Sequence, residues 1–211
     1  MQVLNNLKWR YATKKFDADK KISDEQLSYL KEVIRLSASS YGLQLYKVLV
    51  VSDPEIKKRI QPLCWNQSQI TDCSHLFIFC SYKNYKDSFV DEYIELVTTE
   101  QELEHTTLEG YGTFIKGKVS EKTSTEQTAW LERQPYLAVS NLIMACAEQE
   151  IDTCPMEGFT TEDINRFFKL DSKNLSAIVM VAVGYRSKDD IVQHRKKVRK
   201  AEKDLFEIIG N

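Results

Sequence analysis

Three permanent cations stand within six residues at Arg10, Lys14 and Lys15, in the stretch "RYATKKFD" over 10–17. Such a cluster either faces water or waits for an anion. A second basic run, "HRKKVRK" over 194–200, lies near the other end of the chain. It is a solvated face, or it meets the same anion as the first. A third candidate is the turn "CPMEGF" over 154–159. There Pro155 fixes φ and lacks an N–H, while Gly158 permits positive φ and close approach of a ligand to the backbone. Glu157 sits between them.

The balance of the chain makes any anion site a local one. Formal net charge is −2, so no overall basic field recruits nucleic acid or a membrane. The run at 194–200 has no interleaved aromatic residues, which argues against a nucleic-acid patch. Gly110-Tyr-Gly112 is a lone GxG without the strand–GxGxxG–helix context of a dinucleotide site, and no P-loop sequence occurs. The five cysteines (64, 73, 80, 146 and 154) contain no CxxC pair and lie mostly in apolar surroundings. They read as reduced, mostly buried thiols of a cytoplasmic chain. His75, His105 and His194 lack ligand spacing, so no metal site is expected. The N-terminus lacks the apolar core of a signal peptide, and no apolar run is long enough to span a membrane.

The elements that must position these groups are legible in part. At 211 residues, 42% hydrophobic and 28% charged, the chain suits one globular domain over 1–211. "ISDEQLSYLKEVIRLSASS" predicts a helix, with Ser23 and Gln26 at capping-box spacing and Leu27, Leu30, Val33 and Ile34 on one face. It ends in the small-residue turn "SASSYGLQ" over 37–44. "YKVLVVSD" predicts a strand, and Asp53-Pro54 opens a short helix. The apolar runs at 75–82 and 176–185 predict strands buried on both faces. Between them, 87–104 favours helix. A long helix is expected from about Thr123 to Glu150, with Pro135 kinking or restarting it. Its run from Leu137 to Ala147 is apolar nearly all round, implying burial in a core or at a subunit interface. Phe159-Thr-Thr-Glu-Asp opens another helix with a cap. The sum is an α+β domain with few strands and many helices.

Four separated stretches then share one arrangement: "RYATKKFD", "SASSYGLQ", "WNQSQITDCSHLFIFC" over 65–80, and "PMEGF" over 155–159 followed by Lys197 and Arg199. In order and separation they resemble the FMN-dependent nitroreductase family, of the oxygen-insensitive NAD(P)H nitroreductase and dihydropteridine reductase type. The resemblance runs from about residue 4 to residue 200 and is weak over 83–123. It implies a small, mostly antiparallel sheet surrounded by helices, and a homodimer with FMN at the subunit interface. It also implies hydride passage from NADH or NADPH through FMN to nitroaromatic, quinone or pteridine-like acceptors by a ping-pong mechanism. Alternatives are another acceptor (an enone, a flavin or a halogenated aromatic) or a non-enzymatic FMN-binding dimer.

The resemblance also implies roles for individual residues. Arg10, Lys197 and Arg199 would hold the flavin phosphate, Tyr11 and Ala12 would line the ribityl chain, and Lys14 would reach the N1–O2 edge of the ring. Lys15 would be left to solvent. Asn66 would bond the pyrimidine edge, with Gln69 near the ring. The backbone N–H groups of Glu157 and Gly158, in the turn with Pro155 and Met156, would address N5 and O4. Ser39, Ser40 and Gly42 would come from the partner subunit. No side-chain acid or base is required. Ala12, Gly42 and Gln69 stand where the family usually has serine, asparagine and, in close relatives, a second lysine. "LQLYK" over 43–47 stands where many members have a proline and an aromatic.

Overall fold

The computed structural model describes residues 2–210, so the end residues of the expected 1–211 domain lie outside the described range. Four strands form one antiparallel sheet: β1 (Tyr46–Val51), β2 (His75–Tyr82), β3 (Asp152–Met156) and β4 (Leu175–Gly184), in the order β1-β2-β4-β3. Antiparallel sheets commonly leave one face to water, but β2 and β4 are apolar at almost every position, so neither face can stay wet. Leu76, Ile78, Cys80, Met180 and Ala182 face one core. Phe77, Phe79, Val179, Val181 and Val183 face the other. The register slips once, from Phe79↔Val179 to Cys80↔Ala177, which leaves an extra residue at Ile178.

Helices cover both faces. The first is closed by Ile60 of α3 (Pro54–Ile60), Ile70 of α4 (Gln69–Asp72) and Ile164 of α8 (Thr161–Phe168). The second is closed by Leu30 and Ile34 of α2 (Asp24–Arg35) and by Leu142 and Cys146 of α7 (Ser124–Glu148). A third cluster joins α5 (Ser88–Glu100), α6 (Glu109–Ser120) and the start of α7 through Val90, Ile94, Ile115, Val119 and Leu131. The expected caps are present. Ser23 and Gln26 make a reciprocal box, as do Thr123 and Glu126, and Asp53 accepts from the N–H groups of Glu55 and Ile56 at 2.8 and 2.9 Å. All five cysteines are free and buried.

Four expectations need correction. The stretch 154–159 is not a turn throughout: β3 runs to Met156, and Pro155 is accommodated because β3 is an edge strand. Gly158 does not adopt positive φ, which among the described glycines belongs to Gly42 (77°) and Gly210 (96°). Its lack of a side chain has a packing reason, since a Cβ there would lie 2.9 Å from Gln67 Nε2 and from the Trp65 ring. Pro135 does not restart α7, which is helical throughout. Gln134, Pro135, Ala138 and Val139 are buried, and that packing outweighs one lost backbone bond. Thr160 precedes α8 but makes no side-chain cap, its N–H donating instead to Leu63 O at 2.9 Å.

Among the helices without a clear sequence signature are α1 (Gln2–Trp9) and α6, which contains three glycines. The apolar run of α7 is only partly covered, since Tyr136 is 40% and Leu137 52% exposed.

The end of β4 supplies a sharp test of packing. A Cβ on Gly184 would lie 2.9 Å from the Ser74 backbone nitrogen and 3.1 Å from the Phe16 ring. Gly184→Ala should therefore destabilise the protein by about 1–3 kcal/mol, the usual cost of overpacking. Urea unfolding checks this, and an unchanged midpoint would mean that the Ser74 loop yields freely.

Candidate functional site

The stretch 10–17 forms a strap laid against the ends of β3 and β4. Ala12 bridges Thr153 in parallel fashion and Phe16 bridges Arg186 in antiparallel fashion. Thr13 N–H donates to Thr153 O at 3.2 Å, Asp17 N–H to Tyr185 O at 2.8 Å, and Ser187 N–H to Lys15 O at 2.9 Å. Thr13 and Phe16 are buried, whereas Lys14 and Lys15 between them are exposed and Arg10 is only partly covered.

Two buried carboxylates fix this strap. Asp190, 1% exposed, accepts from Tyr11 OH at 2.9 Å, Lys14 N–H at 2.8 Å, Lys15 N–H at 3.2 Å and Val192 N–H at 3.0 Å. Burial alone would push its carboxyl up, but these donors together hold it below the ordinary value. Tyr11 in turn is pushed well up, by burial first and then by Asp190. Asp152 accepts from Arg186 Nε at 2.8 Å and from Arg186 N–H at 2.8 Å. The same guanidinium lies 4.4 Å from the Trp9 ring centre and 4.7 Å from that of Tyr11.

The two ends of the chain meet at the basic groups. A cleft of about 490 Å³ is lined by Arg10, Tyr11, Ala12, Pro155, Lys197 and Arg199, among others. Lys197 Nζ donates to the carbonyls of Leu7 and Arg10 at the C-terminal end of α1, where a cation is favoured. Burial, then Arg10 and Arg199, draw the Lys197 ammonium below its usual pKa. Burial and Arg199 do the same to Arg10. Arg10 Nε is buried and has no hydrogen-bond partner among the described residues. A cation pressed against other cations, with a donor left over, is a site that an anion would relieve.

Further along the strap, Lys14 is exposed and its Nζ lies 4.0 Å from Cys154 Sγ. Gln69 is buried on α4, with its side chain against the same thiol. Burial pushes the Cys154 thiol up, against the pull of Lys14. Gln69 therefore stands one contact behind Lys14. Lys15 is exposed, as expected.

Beyond β3, the turn at Glu157 and Gly158 is held by the loop that carries Asn66. Trp65 and Asn66 both have φ of 54°, an uncommon conformation that folds the loop back sharply. Gln67 Nε2 then donates to Gly158 O at 2.8 Å and to Cys64 O at 3.1 Å. Neither the Glu157 nor the Gly158 N–H has an acceptor among the described residues. Tyr136 of α7 donates to Glu157 Oε1 at 2.5 Å.

The chain brings Arg10, Tyr11, Ala12, Pro155, Lys197 and Arg199 to one cleft, sets Lys14 and Gln69 against Cys154 next to Pro155, and ties the loop that carries Asn66 to the Glu157–Gly158 turn through Gln67. It does not bring Ser39, Ser40 and Gly42 there. Ser40 N–H donates to Gln134 Oε1 and Ser39 Oγ accepts from Gln44 N–H, both at 2.8 Å. No hydrogen bond among the described residues links that turn to the strap. Sequence reasoning missed Asp152, Arg186, Asp190, Gln67 and Tyr136. Asp190 follows Asp189 directly, and only the fold separates the buried carboxylate from the exposed one.

Comparison with known proteins converges on one family. The model described as "Nitroreductase family" matches residues 7–185. YfkO of Bacillus subtilis, provisionally named an NAD(P)H nitroreductase, is 33% identical over 97% of this chain and 96% of its own. The major NAD(P)H-flavin oxidoreductase of Aliivibrio fischeri is 29% identical over 98% of each chain. A provisionally named nitroreductase of Exiguobacterium sibiricum, solved in complex with FMN, shares the fold at a TM-score of 0.83. It is 18% identical over 98% of this chain and 96% of its own.

Asp190→Asn should lower stability by roughly 2 kcal/mol at neutral pH, the worth of a charge-assisted hydrogen bond. The wild-type carboxyl titrates below its unfolded value, so between the two values the unfolded chain binds more protons and stability rises with pH. The gap between the two proteins should be full above about pH 4 and shrink as pH falls through the depressed folded value. Urea unfolding across acid pH checks this, and a gap that stays constant would remove Asp190 from the linkage.

Proposed function

The chain belongs to the nitroreductase family, and from that premise we propose that it is a homodimeric, FMN-dependent NAD(P)H oxidoreductase of one domain, working in the cytoplasm. The observation that carries the proposal is the buried, partnerless Arg10 Nε beside Lys197 and Arg199. That donor set fits the phosphate of FMN. Bound FMN would supply hydride transfer, alternating between NAD(P)H and a small acceptor of the nitroaromatic, quinone or pteridine class in a ping-pong cycle.

The residues of the chain bind and orient. Arg10 and Arg199 would grip the phosphate, with Lys197 bracing Arg10 from behind through the carbonyl at the end of α1. Tyr11 and Ala12, fixed by Asp190 and Thr153, would line the ribityl chain. Lys14, exposed on the strap, would set a positive charge by the N1–O2 edge, where reduction builds negative charge. Asn66 would bond the pyrimidine edge. The free N–H groups of Glu157 and Gly158 would serve N5 and O4, and no side chain has to gain or lose a proton for hydride to move.

Two features favour the dimer. The turn with Ser39, Ser40 and Gly42 is held rigidly on α7 and α2, away from its own strap, as a turn lent to a second subunit would be. Exposed Leu137 and the exposed apolar residues Leu205, Phe206, Ile208 and Ile209 give such a subunit something to cover. Among the described residues no helix is long and apolar enough to cross a membrane. No partner nucleic acid is proposed.

The purified protein should be yellow, with one FMN per subunit, and should bleach on NADPH addition under argon. A colourless protein that ignores added FMN would end the proposal. Arg10→Ala should weaken FMN binding by about 1.5–3 kcal/mol, read by flavin fluorescence titration. Undiminished affinity would move the phosphate elsewhere. Sedimentation should give twice the 24.5 kDa chain mass, and a stable FMN-loaded monomer would overturn the shared site.

A further inference from the structure

The turn after β3 carries a carboxylate that forms no ion pair among the described residues. Glu157 Oε1 takes one hydrogen bond, from the hydroxyl of Tyr136 at 2.5 Å. The two free N–H donors of the turn belong to Glu157 itself and to Gly158. If those donors serve N5 and O4, the carboxylate stands beside the part of the flavin where reduction deposits charge. A negative side chain there opposes reduction, as the positive Lys14 favours it at the other edge.

Tyr136 controls where that charge sits. It projects from α7 one residue after buried Pro135, and Gln134 on the preceding position is itself bound to Ser40. The tyrosine is therefore carried on a braced stretch of helix rather than on a loop. Its O–H dipole points its positive end at the carboxylate. Burial, and then this hydrogen bond and charge, push the Tyr136 hydroxyl up to about 12, so it stays a donor at physiological pH.

We propose that Tyr136 is a positioning residue that pins the Glu157 carboxylate and damps its charge, and that the pair sets how readily the flavin is reduced. The inference rests on the FMN reading above and adds a determinant of potential to it. It follows that the opposing charges of Lys14 and Glu157 bracket the ring from its two edges. Tyr136 moderates only the second.

The test is the two-electron midpoint potential of bound FMN in the wild type, Tyr136→Phe, Glu157→Gln and the double variant, by spectroelectrochemical titration at one pH. FMN stoichiometry and circular dichroism of each protein are measured alongside. Glu157→Gln should raise the potential, because the opposing charge is gone. Tyr136→Phe should lower it, because the charge is no longer damped. The double variant should match Glu157→Gln, since a hydroxyl without its carboxylate has nothing to moderate. A Tyr136→Phe potential equal to or above wild type would overturn the inference, and so would a Tyr136 effect that persists without the carboxylate. If Tyr136→Phe fails to fold, an unchanged potential in Glu157→Gln overturns it alone. Absence of bound FMN in the wild type would instead sink the reading on which it rests, whereas full FMN with four equal potentials would sink only this inference.

Discussion

A carboxylate removed almost wholly from water is tolerable only when donors fill its lone pairs, and Asp190 draws those donors from both ends of the chain. Tyr11, Lys14 and Lys15 come from the N-terminal strap and Val192 from the C-terminal approach to the basic run. Because all four bonds must be made at once, the strap cannot slide relative to residues 190–199. That constraint brings Arg10 beside Arg199 and leaves Lys197 to close on the end of α1. Asp152 and Arg186 perform a similar service one step along, where the guanidinium is clamped between a carboxylate and two aromatic faces. The basic groups can then be held close together against their mutual repulsion, with a donor left free.

The strap needs a rigid bed, and the doubly buried sheet provides it. The strap crosses where β3 begins and just past the end of β4, at Thr153 and Arg186. Their order is maintained by cores on both faces. Helix α7 adds the second link, since it packs on the sheet with one side and carries Gln134 and Tyr136 to two different turns. Its exposed Leu137 marks where that packing stops within one chain. The fold thus separates two tasks. The sheet fixes the cleft, and the long helix spaces the turns that flank it.

What could be read from the sequence followed from the strength of local rules. Capping boxes at Ser23 and Thr123, the Asp53-Pro54 helix start and the apolar runs of β2 and β4 each depend on neighbours a few residues away, and all formed as expected. The short strand β3 was hidden because Pro155 and Gly158 look like turn residues until an edge position and a close Trp65 ring explain them. Helix α6 was hidden by its glycines, whose low propensity is overridden by burial of Ile115 and Val119. In the candidate site, the cations were visible as types and the resemblance supplied their roles. The residues that aim them, Asp152, Asp190 and Gln67, were not visible, because the partners Arg186, Tyr11 and Gly158 lie 34, 179 and 91 positions away.

The central claim is that the cations gathered by Asp190 are the phosphate site of FMN, and the phosphate itself can be removed from the ligand rather than from the protein. Apoprotein should be titrated with FMN and with riboflavin, which shares the ring and ribityl chain but lacks the anion. Two charge-assisted contacts at the low end of their range contribute about 3 kcal/mol, so FMN should bind about 100-fold tighter or more. The difference should shrink as salt is raised, since part of it is electrostatic. Equal affinity for the two flavins would contradict the account, because it would leave Arg10 and Arg199 without an anion to hold.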